Sequence, residues 1–331
     1  MNLISQAVPT ASRRVGSGPH CRAGIRPSSI WGGQTKREIA ESMTELRYLA
    51  PDTLDEAVGA FAKAGSAARI LAGGTDLLVQ MRSGMLKPGV IVDIKKIPEM
   101  MGIEQTADGG FCVGAAVSGM ALAEHKNFGK VWPGVLEAVN LIGSKQVQGR
   151  ASAGGNLCNG SPAGDSVPAM VAAGAIVTVQ GPDGRREMKV EDVPAGPGRT
   201  NLKPGEILVS FTLPPRPPGS SDAYLRMIPR TEMDIAVVGV GVSLTIKDGT
   251  VTAARVGLGA VAPTVMLVED AAKALIGSKL DDAALAKAAA ACSVACRPID
   301  DKRGTIAYRT KVAGVLLKRT AAIAAKRATG K

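Results

Sequence analysis

Aromatic side chains are scarce in this sequence: 2 Trp, 3 Tyr and 4 Phe among 331 residues, or 3%. So few rings offer nothing on which successive bases could stack. No nucleic-acid motif is present either, which argues against a nucleic-acid-binding protein. Histidine is limited to His20 and His125, so a His-rich metal site is excluded and a Ser-His-Asp triad is unsupported. The five cysteines (Cys21, Cys112, Cys158, Cys292 and Cys296) are odd in number and scattered. That pattern excludes a disulfide framework and suits a reducing, cytoplasmic compartment. Cys292 and Cys296 are one helical turn apart, but no further ligands lie near them in sequence, and no metal site is predicted. No run of about 18 apolar residues occurs, so no stable membrane insertion is expected. Redox chemistry would have to come from a bound cofactor, and no catalytic residue is assigned.

What the chain does have is glycine, 40 residues of it, with 45% hydrophobic residues and a net charge of +11. The length suffices for two cores of Val, Ile, Leu and Ala. Residues 1–42 carry +4 and the remainder +7. From Lys302 to Lys331 there are nine Lys or Arg and no acid. Without aromatics, this tail reads as a solvated or partner-facing helix, and the basic balance suits an anionic cofactor or subunit. The Arg-, Ser-, Gly- and Pro-rich residues 1–42 fit a transit peptide in composition. Ser12-Arg13-Arg14 is similar to a twin-arginine signal, but no apolar run follows it. The preferred reading is a start at Met43, with 1–42 a start-site artefact or disordered tail.

Periodic structure is predicted after Met43. Thr53-Leu54-Asp55-Glu56 is a capping box, followed by Leu54, Val58 and Phe61 at helical spacing. Strands are predicted at Ala68–Leu71, Val90–Ile94, Phe111–Ala115, Ala175–Gln180 and Ile207–Leu213. Helices are predicted at Val135–Ile142 and at Val167–Ala173, the latter ending at Gly174. Pro214 to Ser221 is stiff and polar and marks a domain boundary, giving domains at 43–219 and 222–327. Beyond it, Asp234–Ile246 and Val251–Leu258 form a hairpin. Helices follow at Val265–Leu275, Ala283–Ala295 and Thr310–Arg327, an α+β pattern.

Two glycine-rich segments carry the chemistry. Ala72-Gly73-Gly74-Thr75-Asp76 follows a strand, and Ser152-Ala153-Gly154-Gly155-Asn156 sits in a loop running from about Gly149 to Asp165. Glycine pairs let backbone N–H groups approach an anion without an obstructing side chain. Either pair alone is more often a plain turn. Together they could clasp a pyrophosphate from two sides. Neither is a Walker A or Gly-x-Gly-x-x-Gly pattern, so a Rossmann fold is not supported.

The ordered motifs Leu71-Ala72-Gly73-Gly74-Thr75-Asp76-Leu77-Leu78, Gly154-Gly155-Asn156-Leu157 and Ser161-Pro162-Ala163-Gly164-Asp165-Ser166-Val167-Pro168-Ala169 make the chain recognisable. Pro204 to Leu208, Arg230 with Asp234-Ile235-Ala236, Leu258 to Thr264, Pro298 to Gly304 and Tyr308-Arg309 add to the match. The sequence resembles the FAD-binding medium subunits of the molybdenum hydroxylases, the group of xanthine dehydrogenase and aerobic carbon monoxide dehydrogenase. The likeness spans Met43 to about Arg327. It implies an α+β protein: a FAD-binding domain of the vanillyl-alcohol-oxidase (PCMH) type, then a small C-terminal α+β domain with an antiparallel sheet and helices.

The resemblance also implies the site. Leu71 to Leu77 and Ser152 to Asn156 would contact FAD, Asp165 would hydrogen-bond it, and Leu208 would touch its adenine or flavin surroundings. Arg226 stands where some relatives carry a Lys near the isoalloxazine. Other readings stay open: Asp165 as a helix cap, Leu208 as core, Arg226 as a surface charge and Cys158 as a small buried residue. Ser152-Ala153 replace a usual Thr and branched apolar residue, keeping the hydroxyl. Thr75-Asp76 replace the His-Ser usual in carbon monoxide dehydrogenases, which points to an N-heterocycle, purine or aldehyde substrate. Without an extra cysteine cluster, no iron–sulfur centre is expected in this chain.

The implied function is an electron-transfer subunit. A small partner with two [2Fe–2S] clusters and a large molybdopterin partner would complete a dimer of heterotrimers. Electrons would leave to NAD⁺, a quinone or another acceptor. The alternatives are a stand-alone FAD-dependent oxidase or reductase of the same fold superfamily, and a non-catalytic assembly module.

Overall fold

The computed structural model describes residues 46–231 and 233–330. The extension 1–42, with His20, Cys21 and Arg13-Arg14, and the start at Met43 lie outside the described residues.

The chain opens with a small parallel sheet of β1 (Arg47–Leu49), β2 (Ala68–Leu71) and β3 (Val90–Asp93), in the order β1-β3-β2. Helix α1 (Leu54–Ala64) joins the first two strands. Its start is the expected capping box: the Glu56 N–H donates to Thr53 Oγ1 at 3.3 Å, and the Asp52 N–H donates to Glu56 Oε2 at 3.3 Å. Parallel strands need such a crossover, and α1 buries Leu54, Ala57 and Val58. Between β2 and β3 lies the short α2 (Leu77–Arg82).

A five-stranded antiparallel sheet follows, ordered β4-β5-β10-β6-β7. Its strands are β4 (Ile103–Gln105), β5 (Phe111–Gly114), β6 (Ile176–Gly181), β7 (Gly184–Lys189) and β10 (Ile207–Leu213). A two-stranded ribbon, β8 (Pro194–Gly196) and β9 (Arg199–Thr200), sits in the connection from β7 to β10. β10 lies at the centre, where Phe211 faces Val113 on one side and Val177 on the other. The helices α3 (Pro133–Val139), α4 (Ala153–Cys158) and α5 (Ser166–Ala173) come between β5 and β6. Phe111, Phe128, Trp132 and Met170 are buried in this first core, so the few aromatic residues are spent largely here.

The C-terminal sheet is antiparallel throughout, in the order β11 (Ser220–Met227), β12 (Val238–Lys247), β13 (Thr250–Gly259), β14 (Met266–Leu267). Helices α6 (Glu269–Leu275), α7 (Asp282–Ala295) and α8 (Ile306–Ala328) pack with it around a second core of Val240, Val242, Leu258, Leu275, Cys292 and Leu317. α5 packs on β12 and β13, and all eight of its residues are buried. A Cβ on Gly257 would lie 2.2 Å from the Pro168 carbonyl oxygen. That close approach is what lets the helix sit on the sheet. Arg255 then donates to the Val171 carbonyl at 2.9 Å and satisfies the helix end.

Several expected boundaries are corrected. β11 begins at Ser220, inside the stretch read as linker, and was not expected as a strand. Its Asp222 is buried and accepts the Val135 N–H at 3.0 Å, so polar residues here face the start of α3 rather than water. β12 starts at Val238, not Asp234, because Asp234 forms a bidentate pair with Arg230 at 2.9 and 3.0 Å in the preceding turn. The helix expected over Val265–Leu275 begins at Glu269, after Met266–Leu267 pair with β13. The last helix begins at Ile306, four residues before Thr310, because Thr305 Oγ1 caps the Tyr308 N–H at 3.2 Å. Among the described residues no helix is long and apolar enough to cross a membrane.

Candidate functional site: a cavity between two glycine segments

β2 ends at Leu71, and the chain turns through Ala72 to Asp76 into α2. Gly74 has φ +77°, a left-handed conformation that glycine adopts without steric cost. Gly73 is required for a different reason: a Cβ there would lie 2.0 Å from the Arg150 carbonyl oxygen. The first glycine segment is therefore packed directly against the residues leading into the second. α2 adds a tie, with Gln80 Nε2 donating to Asn159 Oδ1 at 3.3 Å.

The second segment is not the open loop expected from Gly149 to Asp165. Ala153–Cys158 is a short helix, with Ser152 Oγ accepting the Gly155 N–H at 3.0 Å. Gly154 backs onto the residue that follows β5, where its Cβ would meet the Ala115 carbonyl oxygen at 2.4 Å. Gly155 faces the other way. A Cβ there would meet only Ser152 Oγ, at 3.2 Å.

Between the segments lies a cavity of about 490 Å³, within the usual range for a small-molecule or cofactor site. Gly73, Gly74, Thr75, Asp76, Leu77, Ser152, Gly154, Gly155 and Asn156 all line it, as do Ala72 and Leu208. Among the described residues, the backbone N–H groups of Gly73, Gly74, Thr75, Asp76 and Gly154 find no acceptor within the protein. Several free donors at one cavity suit an anionic group. Phe61, Ile70, Leu86, Leu202 and Leu208 supply an apolar stretch of wall. Asp76 is open to the cavity and makes no bond to the start of α2, and desolvation by its surroundings raises its pKa.

Four expected contact residues lie outside this wall: Leu71, Ala153, Asp165 and Arg226. Leu71 is buried at the end of β2. Asp165 is buried and does not cap α5 with its side chain. Instead it accepts from Tyr224 Oη at 2.8 Å and from Arg226 Nη1 at 2.7 Å. Burial raises its pKa to about 6, against the lowering pull of Arg226 and of the Tyr224 hydrogen bond. Arg226 is not a surface charge: its side chain is buried, and it also donates to the Leu141 carbonyl at 3.1 Å. Ile142, the next residue, lines the cavity. Cys158 is not buried: its side chain opens into the cavity, while the enclosing walls push the thiol up to about 12.

Sequence reasoning missed Phe61, Arg69, Ile142, Thr200 and Leu202 in the wall. They come from segments far apart in the chain, and no local pattern marks them as neighbours. Phe61 alone carried a signal, as one of four Phe placed late on an amphipathic helix. Among the described residues no group of His, Cys, Asp or Glu is placed to hold a metal.

By architecture this is a two-core α+β protein with antiparallel sheets and a cofactor-sized cavity in its first half. Residues 42–216 match the family described as FAD binding domain in molybdopterin dehydrogenase, and residues 223–324 match the CO dehydrogenase flavoprotein C-terminal domain. The carbon monoxide dehydrogenase medium chain of Afipia carboxidovorans is 34% identical over 85% of this chain and 97% of its own length. The xanthine dehydrogenase FAD-binding subunit of Escherichia coli O157:H7 is 32% identical over 60% of this chain and 68% of its own. Among solved structures, the reconstituted CO dehydrogenase from Oligotropha carboxidovorans superposes with a TM-score of 0.82. It is 34% identical and covers 85% of this chain and 98% of that one. The chain belongs to the family of FAD-binding medium subunits of the molybdenum hydroxylases, and it is an oxidoreductase subunit.

Proposed function

We propose that this chain holds FAD in the cavity between Gly73–Asp76 and Ser152–Asn156 and serves as the electron-output subunit of a molybdenum hydroxylase. The observation that carries this reading is the convergence of unpaired backbone N–H groups from two separate segments on one cavity. The diphosphate would take those donors, with the Thr75 hydroxyl adding another. Gly155 leaves the cavity face open for its approach. The apolar wall around Phe61, Leu202 and Leu208 would take a ring system. Asp165 and Arg226 would act on the cofactor through the wall they brace at Leu141-Ile142. Bound FAD would supply the redox chemistry, taking electrons from [2Fe–2S] clusters of a small partner and giving them to NAD⁺, a quinone or another acceptor.

The chain's own residues bind, orient and enclose the cofactor, and none is assigned as acid or base. A large molybdopterin subunit would hold the substrate site, and the whole would assemble as a dimer of heterotrimers in the cytoplasm. Thr75-Asp76 favours an N-heterocycle, purine or aldehyde as the complex's substrate. The two sequence-derived domains, 43–219 and 222–327, would divide the work, the first carrying the cavity and the second buttressing it. The full chain purified by itself should be yellow, release FAD on denaturation and bleach with dithionite. A colourless chain that does not bind added FAD would overturn the proposal. A chain that turns over substrate without partners would favour a stand-alone oxidase or reductase.

A further inference from the structure

We infer that Lys95 is a positioning residue for the first glycine segment, one that sets the direction of the Gly73 N–H; this rests on the reading that the segment holds the FAD diphosphate. Lys95 Nζ donates to the Ala72 carbonyl at 3.0 Å. Among the described residues no peptide bond is cis, so the Ala72 carbonyl and the Gly73 N–H point in opposite directions within one rigid plane. A donor that grips the carbonyl therefore aims the N–H. Among the described residues no other group donates to the Ala72 oxygen.

Lys95 is itself held. Its Nζ lies 2.7 Å from Asp93 Oδ1, and its own backbone N–H donates to the same oxygen at 3.0 Å. Tyr48 Oη donates to the other carboxylate oxygen at 2.5 Å. Asp93 ends β3, directly opposite Leu71, the last residue of β2. The chain of contacts Tyr48–Asp93–Lys95–Ala72 thus runs from the sheet edge to the start of the glycine segment. Asp93 offsets the lysine charge, so the contribution is one of direction more than of net field. Charge-assisted hydrogen bonds of this kind are the stronger ones, and a misdirected N–H forfeits its bond to an anion.

Flavin-stripped full-length chain is titrated with FAD, with ADP and with riboflavin, which lacks the diphosphate. Lys95→Met is expected to weaken FAD and ADP binding about tenfold, the worth of one charge-assisted contact, and to leave riboflavin unchanged. Lys95→Arg is expected to restore binding to within about threefold, because a guanidinium can still grip the carbonyl. Lys95→Met that binds FAD and ADP as the parent does, while Gly155→Val loses them, would overturn the role of Lys95 and leave the cavity reading standing. Parent-like FAD binding by both variants would overturn the cavity reading itself. Equal losses for riboflavin and ADP, or no rescue by Arg, would mark a merely structural residue and also overturn the inference. Should Lys95→Met fail to fold, Tyr48→Phe decides: a two- to threefold loss for ADP, roughly, is expected, and no loss overturns the inference.

Discussion

Gly73 and Arg150 are 77 positions apart in the chain, yet a single carbon atom added to the glycine would stand 2.0 Å from the arginine's carbonyl oxygen. That pair is the seam between the two glycine segments. Gly73→Ala cannot be absorbed by a side-chain rotation, since the obstacle is backbone. It is expected to cost about 1–3 kcal/mol and to open the seam, so FAD affinity and the urea midpoint should fall together. An Ala variant with parent-like midpoint and affinity would show the seam to be compliant.

Gly155 should behave differently. Its missing side chain would meet only Ser152 Oγ at 3.2 Å, on a face that lines the cavity. Gly155→Val is expected to keep the parent's circular dichroism and melt within a few degrees, roughly, while FAD retention drops by a hundredfold or more, roughly. In an assembled complex the variant should still reduce artificial dyes at the partner's site. Parent-like yellow colour in this variant would contradict the assignment.

Asp165 gives a pH signature. Burial raises its pKa to about 6, from an ordinary 3.8. Between those values the folded chain keeps a proton that the unfolded chain has released. Its stabilising contribution is therefore full below pH 4 and is lost as pH rises through about 6. The stability of the parent relative to Asp165→Asn should decline over that window, by no more than about 3 kcal/mol. Denaturant unfolding of both proteins at closely spaced pH values measures it, and a difference that stays flat across the window would rule the assignment out.

Arg309 is buried, 4% exposed, at the start of α8. Its Nη1 donates to the carbonyls of Val237 and Ala260 at 2.8 and 3.2 Å, and its Nη2 pairs with Asp301 at 2.8 Å. Arg309→Met would leave two inward carbonyls without a donor, a loss of roughly 3 kcal/mol. The urea midpoint should fall accordingly with little change in FAD affinity measured at low temperature, because the cavity lies in the other half. A larger effect on FAD than on stability would show that the two halves are coupled through this residue.

Much of the fold was legible where local chemistry decided it. β2 was read at its observed bounds, a short strand that runs into glycines. The capping box at Thr53 and the glycine stop at Gly174 were equally local. Some misses were local, such as the caps at Thr305 and Ser152, and others were long-range. The start of β11 was missed because Ser220 and Ser221 were read with the stiff, polar stretch from Pro214, and only the approach of α3 explains why Asp222 is buried. Asp165 was read as a cofactor contact, with a helix cap as the alternative, because its partners Tyr224 and Arg226 lie 59 and 61 residues away. Both glycine segments were found, but their seam at Arg150 and their brace at Lys95 were not, since neither residue belongs to a motif. Apart from Leu208, the apolar wall was hidden for the same reason: Phe61, Ile70, Leu86 and Leu202 come from separate stretches of chain.

One consequence concerns where this chain could be cut. Residues 214–219 look like a natural seam for separating the halves. α5, however, precedes that seam in sequence and rests on the strands that follow it, with Pro168 against Gly241, Gly257 and Gly259. A front fragment ending at Leu213 would carry an oily helix with nothing over it, and a back fragment would expose a bare glycine-paved sheet. Exchanging halves between relatives would therefore have to move Ser166–Ala173 together with the sheet it covers, even though the helix is written on the other side of the join.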